Sequence, residues 1–142
     1  FNGVIFKKMN EKQLQSKIVL DFSQKMPDYR GCLWSTRNTT FSQRDGQTQK
    51  AMGMFAGVSD LILFFECRFI GLEVKTKGSS HKYGHIFNQS EWGKQIVLNG
   101  GEWYIITSVS EFWDVVNKKK PEYTLKKVRE LLNQTKTKTI KF

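Results

Sequence analysis

Leu14, Ile18, Phe22 and Met26 recur at every fourth position, which aligns one apolar face of a helix over residues 10–26. Asn10, with Gln13 three residues on, has the form of a capping box at its start. Pro27 ends the helix. Residues 31–36, GCLWST, read as a first strand. From Arg37 to Ala56 the chain is polar, and so long a loop in a folded domain is either functional or mobile. A plainly solvated loop is the alternative.

The densest apolar stretch is DLILFFECRFIGLEVK, Asp60 to Lys75. Leu61–Phe65 and Phe69–Lys75 have the aromatic and β-branched content of strands. If Glu66 and Cys67 form a two-residue turn, Phe65 faces Arg68 and Asp60 faces Glu73. Lys75 then projects from the same face as Glu73. Glu-Cys is not a favoured turn pair, and a slip of one residue would part the carboxylates.

Residues 76–84, TKGSSHKYG, form a basic loop before a helix within 86–99. Trp92 and Ile96 face inward on that helix, and Gln89 lies at the edge of the buried stripe. Gly100-Gly101 stops it. Residues 102–107 are another strand. Ser110 can cap a short helix that buries Phe112, Val115 and Val116. Pro121 suits the first turn of a last helix, 121–134, with Leu125, Val128 and Leu132 aligned. The basic tail 135–142 has three readings: disorder, an added edge strand, or an arm that touches DNA. The order of elements places the chain in the α/β class as a single domain, 1–142, with its core at about 10–117.

Charge narrows the partners. Lys plus Arg is 23 and Asp plus Glu is 13, a formal net charge of +10. A surplus of that size favours a polyanion, and nucleic acid is the commonest. An anionic membrane surface or mere solubility are the alternatives. Arg37, Arg44 and Lys50 in the polar stretch and Lys77, His81 and Lys82 in the basic loop are the candidate DNA contacts. His81 reads by default as a solvated loop residue, with DNA contact as the alternative.

Cys32 and Cys67 form no CxxC and no Cys/His cluster, which argues against structural zinc and fits reduced thiols in a cytoplasmic protein. The first residues lack the apolar core of a signal peptide. The longest apolar run, Leu61–Phe65, is far below the ~20 residues that cross a bilayer, so no membrane partner is expected.

Three charges in an apolar hairpin call for chemistry or for pairing. Mg²⁺ or Mn²⁺ takes oxygen ligands, commonly one or two carboxylates with several waters. Asp60 and Glu73 on one face can supply them, with the backbone carbonyl of Val74 in reach. A lysine beside the pair can orient a water or stabilise charge on a phosphorane. Without a cation, two adjacent carboxylates repel, and one takes up a proton more readily. The competing reading is structural: Lys75 neutralises Glu73 at a strand end while Asp60 caps a turn. Glu11, in the first turn of the first helix, similarly reads as a partner of the helix dipole.

GVSDLIL followed by LEVK resembles the PD-(D/E)XK nuclease signature, with Asp60, Glu73 and Lys75 as its three members. The usual proline before the aspartate is Ser59 here. The fuller pattern is GVSD, then EVKTKG, then Gln89 with Trp92 three residues on, then Gly100-Gly101. It is similar to the VRR-NUC branch over about Glu11 to Val116.

The resemblance implies a restriction-endonuclease-like core, a mixed sheet of about four strands flanked by helices. It implies Asp60 and Glu73 as metal ligands, Lys75 as the catalytic lysine, and Gln89 and Glu11 as further site members. It implies DNA as substrate, branched or duplex, and, for compact relatives that resemble Holliday junction resolvases of phage or bacteria, a homodimer. Two other functions remain open: a non-catalytic DNA-binding module on a nuclease fold, and a sequence-specific restriction-type nuclease.

Overall fold

The computed structural model describes residues 8–36 and 43–142, with the side chains of 43–45 left aside. Helix α1, Glu11–Lys25, opens with the expected capping box. Asn10 Oδ1 accepts from the Gln13 N–H at 2.9 Å, and Gln13 Oε1 accepts from the Asn10 N–H at 3.0 Å. A run of 3₁₀ turns, Pro27–Cys32, carries the chain into the short strand β1, Leu33–Ser35.

Strands β2, Leu61–Phe65, and β3, Arg68–Val74, form the hairpin in the expected register, with Phe65 opposite Arg68 and Leu61 opposite Leu72. The turn achieves this with positive φ at both Glu66 (50°) and Cys67 (60°). That is the backbone a two-residue hairpin turn demands, here adopted by residues that disfavour it. Helix α3, Tyr83–Leu98, crosses over to strand β5, Glu102–Ile106, which runs parallel to β3.

The five-stranded mixed sheet is completed by β6, Tyr123–Thr124, and its order is β1-β2-β3-β5-β6. Helices cover both faces. On one, Leu14, Ile18 and Phe22 of α1 pack with Phe112 and Val115 of α4, Val109–Val116, against Leu61, Leu63, Ile70, Leu72 and Val74. On the other, Ile86 of α3 packs with Val128 and Leu132 of α5, Leu125–Gln134, against Trp103 and Ile105. Alternation along β3 therefore sends Ile70, Leu72 and Val74 to the first face and Gly71 and Glu73 to the second.

The structure departs from the expectations in four places. The polar stretch contains a helix, α2, Gln43–Ala51. Its sequence, QRDGQTQKA, has helix-forming residues but no apolar stripe to betray it. The basic loop contains strand β4, Ser80–Lys82, which pairs antiparallel with β7, Thr139–Lys141. The tail thus forms a strand, but in a separate two-stranded sheet and not at the edge of the five-stranded one, and Ile140 and Phe142 are buried in the second core.

Ser108 rather than Ser110 caps α4, because its hydroxyl accepts from the Glu111 N–H at 3.1 Å as the chain leaves β5. The last helix begins at Leu125, not Pro121: Thr124 Oγ1 caps it from the end of β6, and Pro121 is buried in the preceding turn. Among the described residues, no helix is long and apolar enough to cross a membrane.

Candidate metal centre

The site forms where β3 ends and the segment before β2 passes it. Gly57 takes φ 89°, and a Cβ there would stand 3.0 Å from the Asn88 carbonyl oxygen of α3. Only glycine lets the chain turn so close to the helix. Val58 and Ser59 then deliver Asp60 one step beyond the last pair of the hairpin ladder. Asp60 Oδ2 accepts from the Val74 N–H at 2.8 Å, and its carbonyl accepts from the Thr36 N–H. The Thr36 hydroxyl donates to the Ser59 carbonyl, locking the approach from the other side.

Glu73 is fully buried beneath α3. Its Oε2 accepts from Gln89 Nε2 at 2.8 Å. A second close approach sets the helix at that height. Gly71 lies under Trp92, whose ring would be 2.7 Å from an added Cβ. Lys75, on the same face as Glu73, is only 3% exposed. Burial raises the Glu73 carboxyl well above its usual range, and the negative charge of Asp60 raises it further. Lys75 and the nearby Ser59 hydroxyl pull the other way, although that hydroxyl closes no hydrogen bond.

Four buried side-chain polar atoms have no partner among the described residues. Three of them, Ser59 Oγ, Glu73 Oε1 and Gln89 Oε1, surround this carboxylate; the fourth is Trp103 Nε1. An unsatisfied buried acceptor costs about 1–3 kcal/mol. Two such acceptors side by side, with Asp60 at the rim, ask for a positive partner.

A cavity of about 630 Å³ opens over the site, lined among others by Glu11, Asp60, Val74, Lys75 and Gln89. Glu11 is half-buried at its α1 side. Partial burial raises its carboxyl, Lys75 opposes that, and Asp60 adds to it. Glu11 Oε1 also lies 3.5 Å from His81 Nε2. The expected members Asp60, Glu73, Lys75, Gln89 and Glu11 thus come together, and Val74 lines the same space.

The donor set is all oxygen, which suits a hard divalent cation such as Mg²⁺ or Mn²⁺ rather than zinc. Among the described residues no three His, Cys, Asp or Glu side chains are grouped to hold a metal by themselves. The oxygens that a cation here would meet are those of Asp60, Glu73, the Val74 carbonyl and water, with Glu11 beside them.

The candidate DNA contacts are scattered by comparison. Arg37 and the side chain of Arg44 lie outside the described residues. Lys50, Lys77 and Lys82 are exposed, and none of them lines the cavity. His81 is not a freely solvated loop residue: its ring nitrogen lies 2.7 Å from Ser79 Oγ, and its side chain is 14% exposed. Two residues that sequence reasoning missed do line the cavity, Lys12 and His85. Both were legible in principle. Lys12 follows Glu11, and His85 lies four residues before Gln89 on the same helix face.

No protein-family model matches the chain. No curated protein matches its sequence either. Among solved structures, one described as a VRR_NUC domain protein superposes with a TM-score of 0.63 at 15% sequence identity, over 84% of this chain and 98% of that chain. The mixed sheet, the helices on both its faces and the cavity at the end of β3 are thus set in the fold of a VRR_NUC domain protein.

Proposed function

We propose that this chain is a divalent-metal-dependent deoxyribonuclease, an endonuclease that hydrolyses phosphodiester bonds in branched or junction DNA. The observation that carries the proposal is Glu73: a fully buried carboxylate with one oxygen unpartnered among the described residues, set behind Asp60, Lys75 and Gln89, which line an open cavity. A structural ion pair does not need a cavity, nor does it leave acceptors open. The net charge of +10 supports a polyanionic substrate.

In this reading Asp60, Glu73 and the Val74 carbonyl hold Mg²⁺ or Mn²⁺. When bound, the ion supplies a Lewis acid for the scissile phosphate and lowers the pKa of nearby water. Gln89 donates to Glu73 Oε2 and so leaves Oε1 as the free oxygen. Val74 N–H holds Asp60 Oδ2 and so fixes the carboxylate at the wall of the cavity. The Lys75 ammonium orients the attacking water and stabilises negative charge on the phosphoryl oxygens. Glu11 positions water from the α1 side.

The preference for branched DNA, the homodimer and action in the cytoplasm of a bacterial or phage-infected cell rest on the VRR-NUC resemblance, with the whole chain as one nuclease domain. Trp34, Phe64 and Phe69 support the dimer. They share the α3-side face of the sheet near its β1 edge and are 42%, 47% and 36% exposed.

The test is a labelled four-way junction, a flap and a linear duplex, each incubated with and without Mn²⁺. Cleavage only with metal, and best on the branched substrates, is the expected result. Lys75→Ala is expected to lose cleavage and keep junction binding. No cleavage of any of the three by the wild-type protein overturns the proposal, and junction binding alone would favour the non-catalytic module. A cut at one defined sequence in plasmid DNA would point to the restriction-type reading instead.

A further inference from the structure

His85 has no role in the site as described so far, yet it lines the same cavity as Asp60, Lys75 and Gln89. It sits one helical turn before Gln89 on α3, so its ring projects from the face that carries the glutamine. The residue is exposed on the cavity side, and it makes no hydrogen bond among the described residues. The two site charges that reach it are those of Lys75 and Asp60. Partial burial and then Lys75 hold its ring below the usual histidine range, so it presents one N–H donor without a competing positive charge.

Its neighbours around the cavity give it a partner. Lys12, Gln15, Thr36, Asn88 and Lys75 all line that space. Each carries a donor group. Carboxylates stand at the Asp60 and Glu11 positions. Lys75 and the α3 residues His85, Asn88 and Gln89 all border this space, so a phosphodiester entering it comes within reach of both elements.

We infer that His85 is a substrate-binding residue that donates a hydrogen bond to the DNA phosphodiester held beside Lys75. The inference rests on the nuclease reading for its biological meaning, but the contact itself can be detected without cleavage. A neutral donor to an anionic oxygen is worth a factor of about 10 to 100. The contact strengthens as negative charge builds on the phosphoryl oxygens during cleavage, so the loss falls on turnover more than on overall DNA affinity.

Two measurements test it on the full chain. In single-turnover cleavage with Mn²⁺, His85→Ala is expected to slow the cutting step about 10- to 100-fold. His85→Gln, which keeps a donor on a similar reach, recovers part of that rate. Junction affinity measured in Ca²⁺ stays within about threefold of wild type for both. In the second measurement, the ring-nitrogen resonances of His85 are followed in the wild-type protein with Ca²⁺ as a deoxydinucleotide carrying one phosphodiester is added, with inorganic phosphate as the comparison.

A shift that saturates with the phosphodiester and is weaker with phosphate supports the contact, even if the wild-type protein cleaves nothing and the nuclease reading has failed. Wild-type cleavage with His85→Ala cutting within twofold of it overturns the contact and leaves the nuclease reading standing. Resonances that do not move with either ligand overturn it as well.

Discussion

Leu72 and Glu73 are neighbours on β3 and are equally buried, yet they face opposite sides of the sheet. Leu72 sits among Leu14, Ile18, Phe22, Leu61 and Ile70, in an apolar cluster whose members need nothing more. Glu73 lies under α3 with one carboxylate oxygen unpartnered, beside another orphan on Gln89. One face follows the rule that interiors are apolar, and the other breaks it within a single residue. Both faces build stability, since the second has its own apolar cluster around Ile86, Trp103 and Ile105. The second gives some of it up to keep a carboxylate, a lysine and an amide in fixed positions.

The sharpest way to break this contrast is to change the two residues one at a time. Glu73→Gln is expected to reduce metal-dependent cleavage by at least about 10²–10³-fold, as loss of a positioned charged group does, while the protein stays folded. Leu72→Ala is expected to cost about 2–5 kcal/mol in urea denaturation and to leave cleavage per folded molecule unchanged. Cleavage by Glu73→Gln at the wild-type rate would place the site elsewhere. Equal stability losses in both variants would erase the distinction between the faces.

Packing of α3 supplies the next test. Gly71 allows Trp92 onto the sheet, and Gln89 meets Glu73 because of it. Gly71→Ala puts a methyl group 2.7 Å from the Trp92 ring and from Ser59 Oγ. Overpacking of this kind costs about 1–3 kcal/mol. The variant is expected to lose stability and activity together, measured by denaturation and cleavage on the same preparation. A loss of stability alone would show that Gln89 is not placed through this contact.

Proton linkage separates the faces by pH. The Glu73 carboxyl is raised in the folded protein, so the folded state holds its proton longer than the unfolded chain does. Below the unfolded value of about 4.3 both states are protonated and Glu73 carries no ionisation penalty. As pH rises from there towards the folded value, the unfolded chain ionises first and stability falls. Glu73→Gln removes this dependence. Its stability relative to wild type is expected to be least favourable near pH 4 and to improve as pH rises, in parallel urea titrations. The Leu72→Ala difference stays flat. Binding of Mg²⁺ or Mn²⁺ needs the ionised carboxylate, so it is expected to release a proton, read by calorimetry in buffers of different ionisation heat. A difference between Glu73→Gln and wild type that does not change with pH would remove burial as the cause.

The contrast between faces was legible in the sequence because it is local. Asp60, Glu73 and Lys75 lie on one hairpin, where strand alternation and a two-residue turn decide who shares a face. Gln89 and Glu11 needed the resemblance to a known pattern, since they arrive from separate helices. His85 and Lys12 are marked in the sequence only by their spacing from Gln89 and Glu11, a signal that gains meaning once the opposite wall of the cavity is in place. The pairing of β4 with β7 is hard to read for a related reason: its partners, such as His81 and Ile140, are far apart in the chain, and strands of three residues are too short to carry a pattern of their own. Helix α2 lacked an apolar stripe altogether.

The smallest effect comes from the turn that joins β2 and β3. Glu66 and Cys67 both hold positive φ, a conformation that costs a residue with a side chain about 1–2 kcal/mol. Asn and Gly are the residues this turn prefers. The pair Glu66→Asn with Cys67→Gly is therefore expected to stabilise the protein by about 1–2 kcal/mol. It gives up the Lys118–Glu66 ion pair, which is exposed at both ends and contributes little. The turn stands at the opposite end of the hairpin from Asp60 and Glu73, about 20 Å away at ~3.3 Å per strand residue. Cleavage per folded molecule should not change, because the gain comes from the backbone and touches neither face. A change in cleavage rate with this double substitution would mean that the hairpin transmits strain from the turn to Glu73. The site's geometry would then depend on the unfavourable turn as well as on the packing of α3.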